Sequence, residues 1–441
     1  MKHTLFRFRQ DLRIIDNLGW IQSIQNSQTI IPVFIFDNDI ISQFPTWDNR
    51  LSFVIDAVRD LENKLKSYGH TLIVYYWSAC QIIPDLLLQY SCDTLAHCRS
   101  YWWWSLTRDQ YISHRCLQHH IYYKTYDDYL LVKPSVIPAR KVFTPFFRLW
   151  SQNPKIPISD YQKFDHKIKK NLTICHSRPD IQSTLWYQKN THWPIDGWKH
   201  RLYQNWSDYS VTRNNLDIDG STKLSVYIRF WLVSIRQVYR HHIIQNNPWS
   251  QLIISQLARR EFWHHIMYHF PQARMVSFQE NKRNIKRENN LTRLEAWKNW
   301  QTGYPIIDAS MIQLRQEHWM HNRARMIVAS FLTKDLLIDW AYGEQHFADY
   351  LLDYDSCVNI GNRQRAASVW ADPRPLRIFS PILQAQKFDP QALYIKKYLP
   401  QLSHIEPKHL HDPLTYDLDY IKPIVDHRDM RQKAIQMYNH R

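Results

Sequence analysis

Between residues 302 and 359 the chain carries side chains whose types and spacing suit a planar, polar ligand. Asn322, Arg325, Met326 and Ala329 are spaced by three, four and seven, which puts them on one face of a helix starting near His321. An amide, a fixed cation and a soft apolar side chain together match the edge and plane of a ring system better than they fill a plain core. Asp335 and Trp340 fall on a further helical piece. The acidic pair Asp353 and Asp355 then closes the run, with Asn359 close behind. Alone, such a pair sits in solvent as readily as it holds a ligand, and Arg325 on the facing helix is the partner that would draw it inward. Upstream, Ser221, Thr222 and Ser225 place three hydroxyls just ahead of an apolar-periodic segment. Beside the N–H groups at the positive end of a helix they could hold a pyrophosphate without a glycine loop, or serve simply as a cap.

The elements that must position these residues can be read from periodicity. Tyr304-Pro305 ends an irregular segment, and Asp308 is expected to cap a helix carrying Ile307, Met311 and Leu314. At the other end of the chain, residues 4–8, 30–36, 71–76 and 94–98 are short apolar runs that read as buried strands. Val54, Ala57, Val58, Leu61 and Leu65 mark an amphipathic helix between the second and third. Strands and helices alternating at this spacing predict an α/β domain with a doubly wound parallel sheet. From about Leu131 to Tyr187 periodicity fades into Pro, Lys and Asn, which predicts a linker.

The bulk composition narrows the partners. With 441 residues the chain has room for two or three domains, and its formal charge of +16 favours a polyanion, nucleic acid before an anionic membrane surface. Solubility alone is the plainer explanation of that charge. No apolar run approaches the ~20 residues of a membrane helix, and MKHTLFRFRQ carries no apolar signal core, so a cytoplasmic protein is expected. The six cysteines make no CxxC pair and no His/Cys metal spacing, so no metal is expected. Only Cys357 lies in the helical half, which excludes a four-cysteine iron–sulfur cluster there. None of the seven glycines forms GxG, so the dinucleotide fingerprint and the P-loop are both absent.

Several motifs in order and spacing resemble the photolyase/cryptochrome family, and are most similar to the bacterial class I DNA photolyases. They are WMHNRARMIVASFLTKDLLIDW (319–340), with TGYPIIDASM before it and RIFSPILQAQKFDP after it, GSTKLSVYIRFWLVSIRQ (220–237), SQLARREFWHHI (255–266), KVFTPFFRLW (141–150) and FRQDLRIIDN (8–17). The resemblance implies an α/β antenna domain at 1–130, an interdomain linker at 131–200 and an all-helical FAD- and DNA-binding domain at 201–441, acting as a monomer. It implies FAD held by Tyr209, Ser221, Thr222, Lys223, Leu224, Ser225, Arg325, Asp353, Tyr354, Asp355 and Asn359. Asn359 would oppose flavin N5, while Arg325 would pair with Asp353 beside the ring. Arg259, Arg260, Asn322, Arg323, Met326, Arg363, Arg365 and Gln384 would meet DNA containing a pyrimidine dimer. The implied activity is deoxyribodipyrimidine photolyase: light-driven electron transfer from reduced FAD splits a dimer flipped into the site. A cryptochrome-like or degenerate FAD protein that binds nucleic acid without repair is the alternative.

Departures from the family pattern bear on that choice. Gln256, assigned a catalytic place with Asn359 and Trp340, stands where photolyases of this class carry a dimer-bonding Glu. Arg7, Arg259, Arg287, Arg363 and Arg365 stand at family Trp positions. The family's electron relay has three Trp members: the inner falls on Arg363, the middle on Trp340 and the outer on Arg287. Guanidinium has no accessible oxidised state, so photoreduction of flavin by this route should be broken, whereas repair with flavin already reduced does not need it. One base change turns a Trp codon into an Arg codon, so drift and adaptation to a more cationic groove both account for the replacements. The family's folate-contacting Glu falls on Ser105, so folate is not expected and the antenna pigment stays open. The neighbouring triple Trp102 to Trp104 is read as packing, or as a stacking surface for another pigment.

Overall fold

The computed structural model of the chain describes residues 3–42, 49–101, 103–159, 193–371, 376–416 and 419–439. Trp102 and residues 160–192 of the expected linker lie outside the described residues. The chain divides into two compact units: Met1–Pro138, Arg148–Gln204 and Thr222–Glu261 in the first, and Ala139–Phe147, Asn205–Ser221 and Phe262–Arg441 in the second. Among the described residues no helix is long and apolar enough to cross a membrane.

In the first unit five parallel strands, β1 (His3–Phe8), β2 (Thr29–Asp37), β3 (Ile73–Trp77), β4 (Thr94–Cys98) and β5 (Tyr122–Tyr126), form one sheet in the order β3-β2-β1-β4-β5. Helices α1 (Leu18–Asn26), α2 (Asn49–Ser67), α3 (Ala79–Gln89) and α4 (Trp103–Gln118) run between successive strands. A sheet covered by helices needs apolar residues along both faces: Leu5, Ile31, Val33 and Ile35, buried together, alternate with buried Phe6, Phe34 and Phe36, so the strands read as continuous runs. The fifth strand, YYKTY, was not anticipated. It lies at the sheet edge, and its alternating exposure removes the continuous apolar signal.

The turn after β1 buries its charged residues. Asp16 and Asp128 are buried, and Arg236 meets both: its Nε donates to Asp16 Oδ1 and Oδ2 at 3.2 and 3.1 Å, and its Nη2 to Asp128 Oδ1 at 2.6 Å. Arg13 binds Asp128 as well, and Asn17 caps α1 by accepting from the Trp20 N–H at 3.0 Å. Nearby, Arg7 points into a network of Asp37, Arg108, Arg9 and Asp109. Burial, then the neighbouring Arg108, pulls the Arg7 guanidinium well below its usual range. Arg7 therefore acts structurally within the first unit.

Also in the first unit are α5 (Leu224–Arg229) and α6 (Ile235–Gln245), and α7 (Pro248–His269) begins there. On α7, Glu261 is 2% exposed and accepts from the Leu131 N–H, from the Val132 N–H at 3.1 Å and from Trp150 Nε1 at 2.7 Å. Three donors converging on one carboxylate pin the chain after β5 to this helix.

The second unit is helical. Its core gathers Trp297, Ile307, Met311, Leu314, Ile327 and Phe331. The principal helices are α8 (Pro305–Glu317), α9 (Asn322–Ser330), α10 (Trp340–Tyr350), α11 (Ser356–Ala366), α12 (Pro381–Phe388) and α13 (His427–Asn439). A π-helical turn, Phe331–Asp335, continues directly from α9. The expected capping role of Asp308 is corrected: Tyr304 is the N-cap residue and Pro305 starts α8, so Asp308 falls inside the first turn. From there its buried carboxylate accepts from the Thr302 N–H and Oγ1 and from the Gly303 N–H, closing the loop ahead of the helix. Burial pushes this carboxyl up to about 6.

Candidate flavin site

The second unit brings Arg325, Asp353, Asp355 and Asn359 together. Arg325, on the first turn of α9, donates from Nη2 to both oxygens of Asp353 at 3.0 and 2.9 Å, and from Nε to the Met320 carbonyl at 2.8 Å. Two residues on, Asp355 is the N-cap of α11: its Oδ1 accepts from the Val358 N–H at 3.2 Å. Its Oδ2 lies 2.9 Å from His264 Nε2 on α7. The cap explains why the second acid of the pair is buried: the first turn of a helix supplies unsatisfied N–H groups that a carboxylate neutralises.

One turn into α11, Asn359 is 5% exposed. Its Nδ2 donates to Glu344 Oε1 and O at 3.3 and 3.4 Å, and its Oδ1 accepts from Arg363 Nε at 3.4 Å. Glu344 also accepts from the Tyr354 hydroxyl at 2.7 Å. Burial raises the Glu344 carboxyl above its usual range, partly offset by these two hydrogen bonds. The helix reaches this position because Gly361 has no side chain: a Cβ there would stand 2.1 Å from the Trp263 ring.

Glu344 and His264 were not picked out from the sequence. His264 meets its partner across a long stretch of chain, and Glu344 meets Tyr354 and Asn359 across the break between two helices, so no helical spacing announces either. His264, Asp355 and Cys357 bring ligand atoms within 4.8 Å of one another, a grouping that could hold a metal ion. It joins two distant elements, so cysteine spacing could not reveal it. In this structure both Asp355 oxygens are engaged by hydrogen bonds.

The residues expected to hold the phosphates divide between the units. Tyr209 and Ser221 belong to the second, where Tyr209 is 8% exposed beneath the Arg213 guanidinium. Ser221 Oγ is buried without a hydrogen-bond partner. Thr222, Lys223, Leu224 and Ser225 belong to the first unit, with Lys223 turned to a φ of 50° ahead of α5. Leu224 is buried, Thr222 half-buried and Ser225 exposed. Because α5 has only six residues, the hydroxyls carry more of any anion binding here than a helix dipole does.

Of the residues expected to face DNA, Asn322 is exposed and Met326 half-buried, with Asn322 Nδ2 3.9 Å from Met326 Sδ. Arg323 donates from Nη2 to Asn214 Oδ1 at 2.8 Å and lies 4.1 Å from the Phe388 ring centre. Burial, then Arg213, lowers its guanidinium below the usual value. Gln384, on α12, has a buried Oε1 with no hydrogen-bond partner. Arg365 is exposed near the end of α11. On α7 in the first unit Gln256 is exposed and Arg259 half-buried. Arg260 lies 3.9 Å over the Tyr129 ring and donates to the Tyr129 carbonyl.

Arg363 departs from the expectation of a DNA contact. It is 4% exposed, donates from Nη1 to the Arg325 carbonyl at 2.9 Å and lies 3.9 Å from the centre of the Phe347 ring. It cannot reach a phosphate from there, because its guanidinium is turned inward onto the cluster. Arg363 and Trp340 line one narrow crevice with Trp297 and Phe347. Arg287 pairs at 2.7 Å with Asp339, the N-cap residue of α10 that precedes Trp340.

This donor set fits a flavin nucleotide. A buried serine hydroxyl without a partner suits a phosphate oxygen, while a cation, a carboxylate and an amide suit the polar edge of a ring. The chain comprises a unit built on a five-stranded parallel sheet and a helical unit. Residues 4–165 match the family described as DNA photolyase, and residues 252–440 the one described as FAD binding domain of DNA photolyase. A deoxyribodipyrimidine photo-lyase of Synechococcus is 32% identical over 99% of this chain and 96% of its own length. An archaeal photolyase from Sulfolobus tokodaii, solved with two FAD molecules, superposes with a TM-score of 0.90 at 28% identity, covering 100% of both chains. A bacterial class III photolyase from Agrobacterium tumefaciens gives 0.89 at 26% identity, over 99% of this chain and 97% of that one. The chain belongs to the photolyase/cryptochrome family, and its helical part contains that family's FAD-binding domain.

Proposed function

We propose that this protein is a deoxyribodipyrimidine photolyase that binds FAD and acts in the cytoplasm, as a monomer, on DNA containing pyrimidine dimers. The observation that carries the reading is the closed cluster of Arg325, Asp353, Asp355 and Asn359 inside the segment matched to the family's FAD-binding domain. When bound, reduced FAD supplies the light-driven electron that splits the dimer.

The chain's own residues bind and orient. The Arg325–Asp353 fork, Asp355 and the Asn359 amide meet the polar edge of the ring, with Tyr354 behind them on Glu344. Tyr209, Ser221, Thr222, Lys223, Leu224 and Ser225 receive the phosphates. In the second unit Asn322, Arg323, Met326, Arg365 and Gln384 meet the flipped lesion and its flanking phosphates; in the first, Gln256, Arg259 and Arg260 are assigned to DNA. Extruding the dimer costs a few kcal/mol, and less where the damaged bases are already poorly stacked. Arg363 is assigned to the cofactor cluster instead of to DNA. For the α/β unit folate is not expected, since Ser105 offers no carboxylate, and the antenna pigment stays open.

The test is repair itself. Holoprotein reduced chemically beforehand, mixed with an oligonucleotide bearing one thymine dimer, should restore intact thymines under blue light and none in the dark. Flavin-loaded, reduced protein that binds this DNA and repairs none of it in light would overturn the activity and favour the non-repairing cryptochrome-like alternative.

A further inference from the structure

Arg363 is the one charged member of the cluster whose charge the reading above does not use. Its guanidinium is buried, yet among the described residues no carboxylate lies at ion-pair distance from it. Asp353 is taken by the Arg325 fork, and Glu344 is occupied by the Tyr354 hydroxyl and the Asn359 amide. Burying a cation without an anion costs several kcal/mol in lost hydration, and an apolar side chain over Phe347 would avoid that cost. A site that keeps such a charge is built to receive a negative one.

We propose that Arg363 is a redox-tuning and positioning residue: it supplies fixed positive charge for an anionic, reduced flavin beside Asn359 and holds the Asn359 amide in one orientation. The inference rests on the reading that FAD binds at this cluster. Geometry supports both halves. Arg363 Nε donates to Asn359 Oδ1 while Asn359 Nδ2 donates to Glu344, so a flipped amide would set donor against donor and acceptor against acceptor. Burial and the neighbouring Arg325 lower the Arg363 guanidinium to about 9, which leaves it charged at neutral pH, and burial pushes Glu344 toward its neutral form. Arg325 and Arg363 thus stand against Asp353 and Asp355, and without Arg363 the cluster would be left with an excess of negative charge.

The experiment measures the midpoint potential of bound FAD by equilibration with a reference dye. It compares the wild-type holoprotein with Arg363→Lys, Arg363→Gln and Arg363→Met. The two neutral variants differ in polarity at similar length, so one serves if the other fails to fold. Expected is at least a tenfold loss of preference for reduced over oxidised FAD in Gln and Met, equal to a fall of about 30 mV for a two-electron couple. Arg363→Lys should stay near wild type. FAD retained with the same potential in all the proteins overturns this inference alone, as does a Lys variant falling as far as Gln. Failure of the wild-type protein to retain FAD overturns the reading of the site, and this inference with it.

Discussion

Replacing Asp353 by asparagine removes one charge and keeps the side-chain shape, so it isolates the electrostatics of the Arg325 fork. Asp353 is 4% and Arg325 19% exposed at the side chain, with hydrogen bonds of 3.0 and 2.9 Å between them. Hydrogen bonds to charged groups contribute about 1.5–3 kcal/mol each, and breaking a fully buried pair costs about 3–5 kcal/mol. Arg325 retains some solvent and its Nε bond to the Met320 carbonyl, so the lower end applies, about 2 kcal/mol after screening. A second effect adds to it. Arg363 is hydrogen-bonded to the Arg325 carbonyl, so the variant leaves two neighbouring cations with one carboxylate fewer to offset them. Urea denaturation of the apoprotein should therefore show a lower midpoint at unchanged slope. FAD affinity should fall about ten- to a hundredfold, since each tenfold is ~1.4 kcal/mol. An Asp353→Asn protein with wild-type stability and wild-type FAD affinity would refute the reasoning, because the fork would then be ornamental to both.

Four further outcomes are expected. Blue light with an external thiol should reduce bound flavin slowly, and Arg287→Trp with Arg363→Trp should speed it through Trp340; time-resolved absorbance decides, and fast reduction in the unaltered protein would reveal another path. DNA binding should weaken steeply with salt and discriminate poorly between damaged and intact duplex. Arg259→Trp with Arg365→Trp should raise discrimination and flatten the salt slope by roughly one unit for each phosphate no longer neutralised; a wild-type preference for dimer DNA of about a thousandfold would contradict it. Burial lowers the His346 imidazole to about 3, so the unfolded chain takes up its proton first as pH falls below the ordinary value near 6.5. His346 thus costs stability progressively on acidification, and His346→Phe should shed ~2 kcal/mol of that loss between pH 6.5 and 4.5, read as the change in the difference between the two unfolding curves. Glu261→Ala leaves the Leu131, Val132 and Trp150 donors without their acceptor, and should lower stability by about 3 kcal/mol in thermal or urea unfolding.

Four of the five strands were legible because a sheet buried on both faces writes itself as apolar runs. The edge strand Tyr122–Tyr126 has one solvent-facing side and was lost. Helix α9 and its face were legible from spacing, but the grading along that face, from exposed Asn322 to buried Ala329, depends on what packs against it. Asp308 looked like a cap by residue type, and Pro305 moved the helix start ahead of it. Asp353, Asp355 and Asn359 were visible as a pattern. Glu344, His264 and the inward turn of Arg363 were not, since each is defined by a partner on another helix. Family resemblance marked Arg363 as a replaced relay Trp and as a DNA contact, and its hydrogen bonds with Asn359 and the Arg325 carbonyl are what tie it to the cluster.

The claim on which the rest depends is that FAD occupies the cluster around Asn359. A crystal structure of the protein loaded with FAD tests it most directly. Density for the isoalloxazine ring should lie against Asp355 and Asn359, with Arg325 and Asp353 still forked beside it and a phosphate oxygen on Ser221 Oγ. Flavin density elsewhere in the chain, with Ser221 and Asn359 untouched, would contradict the account.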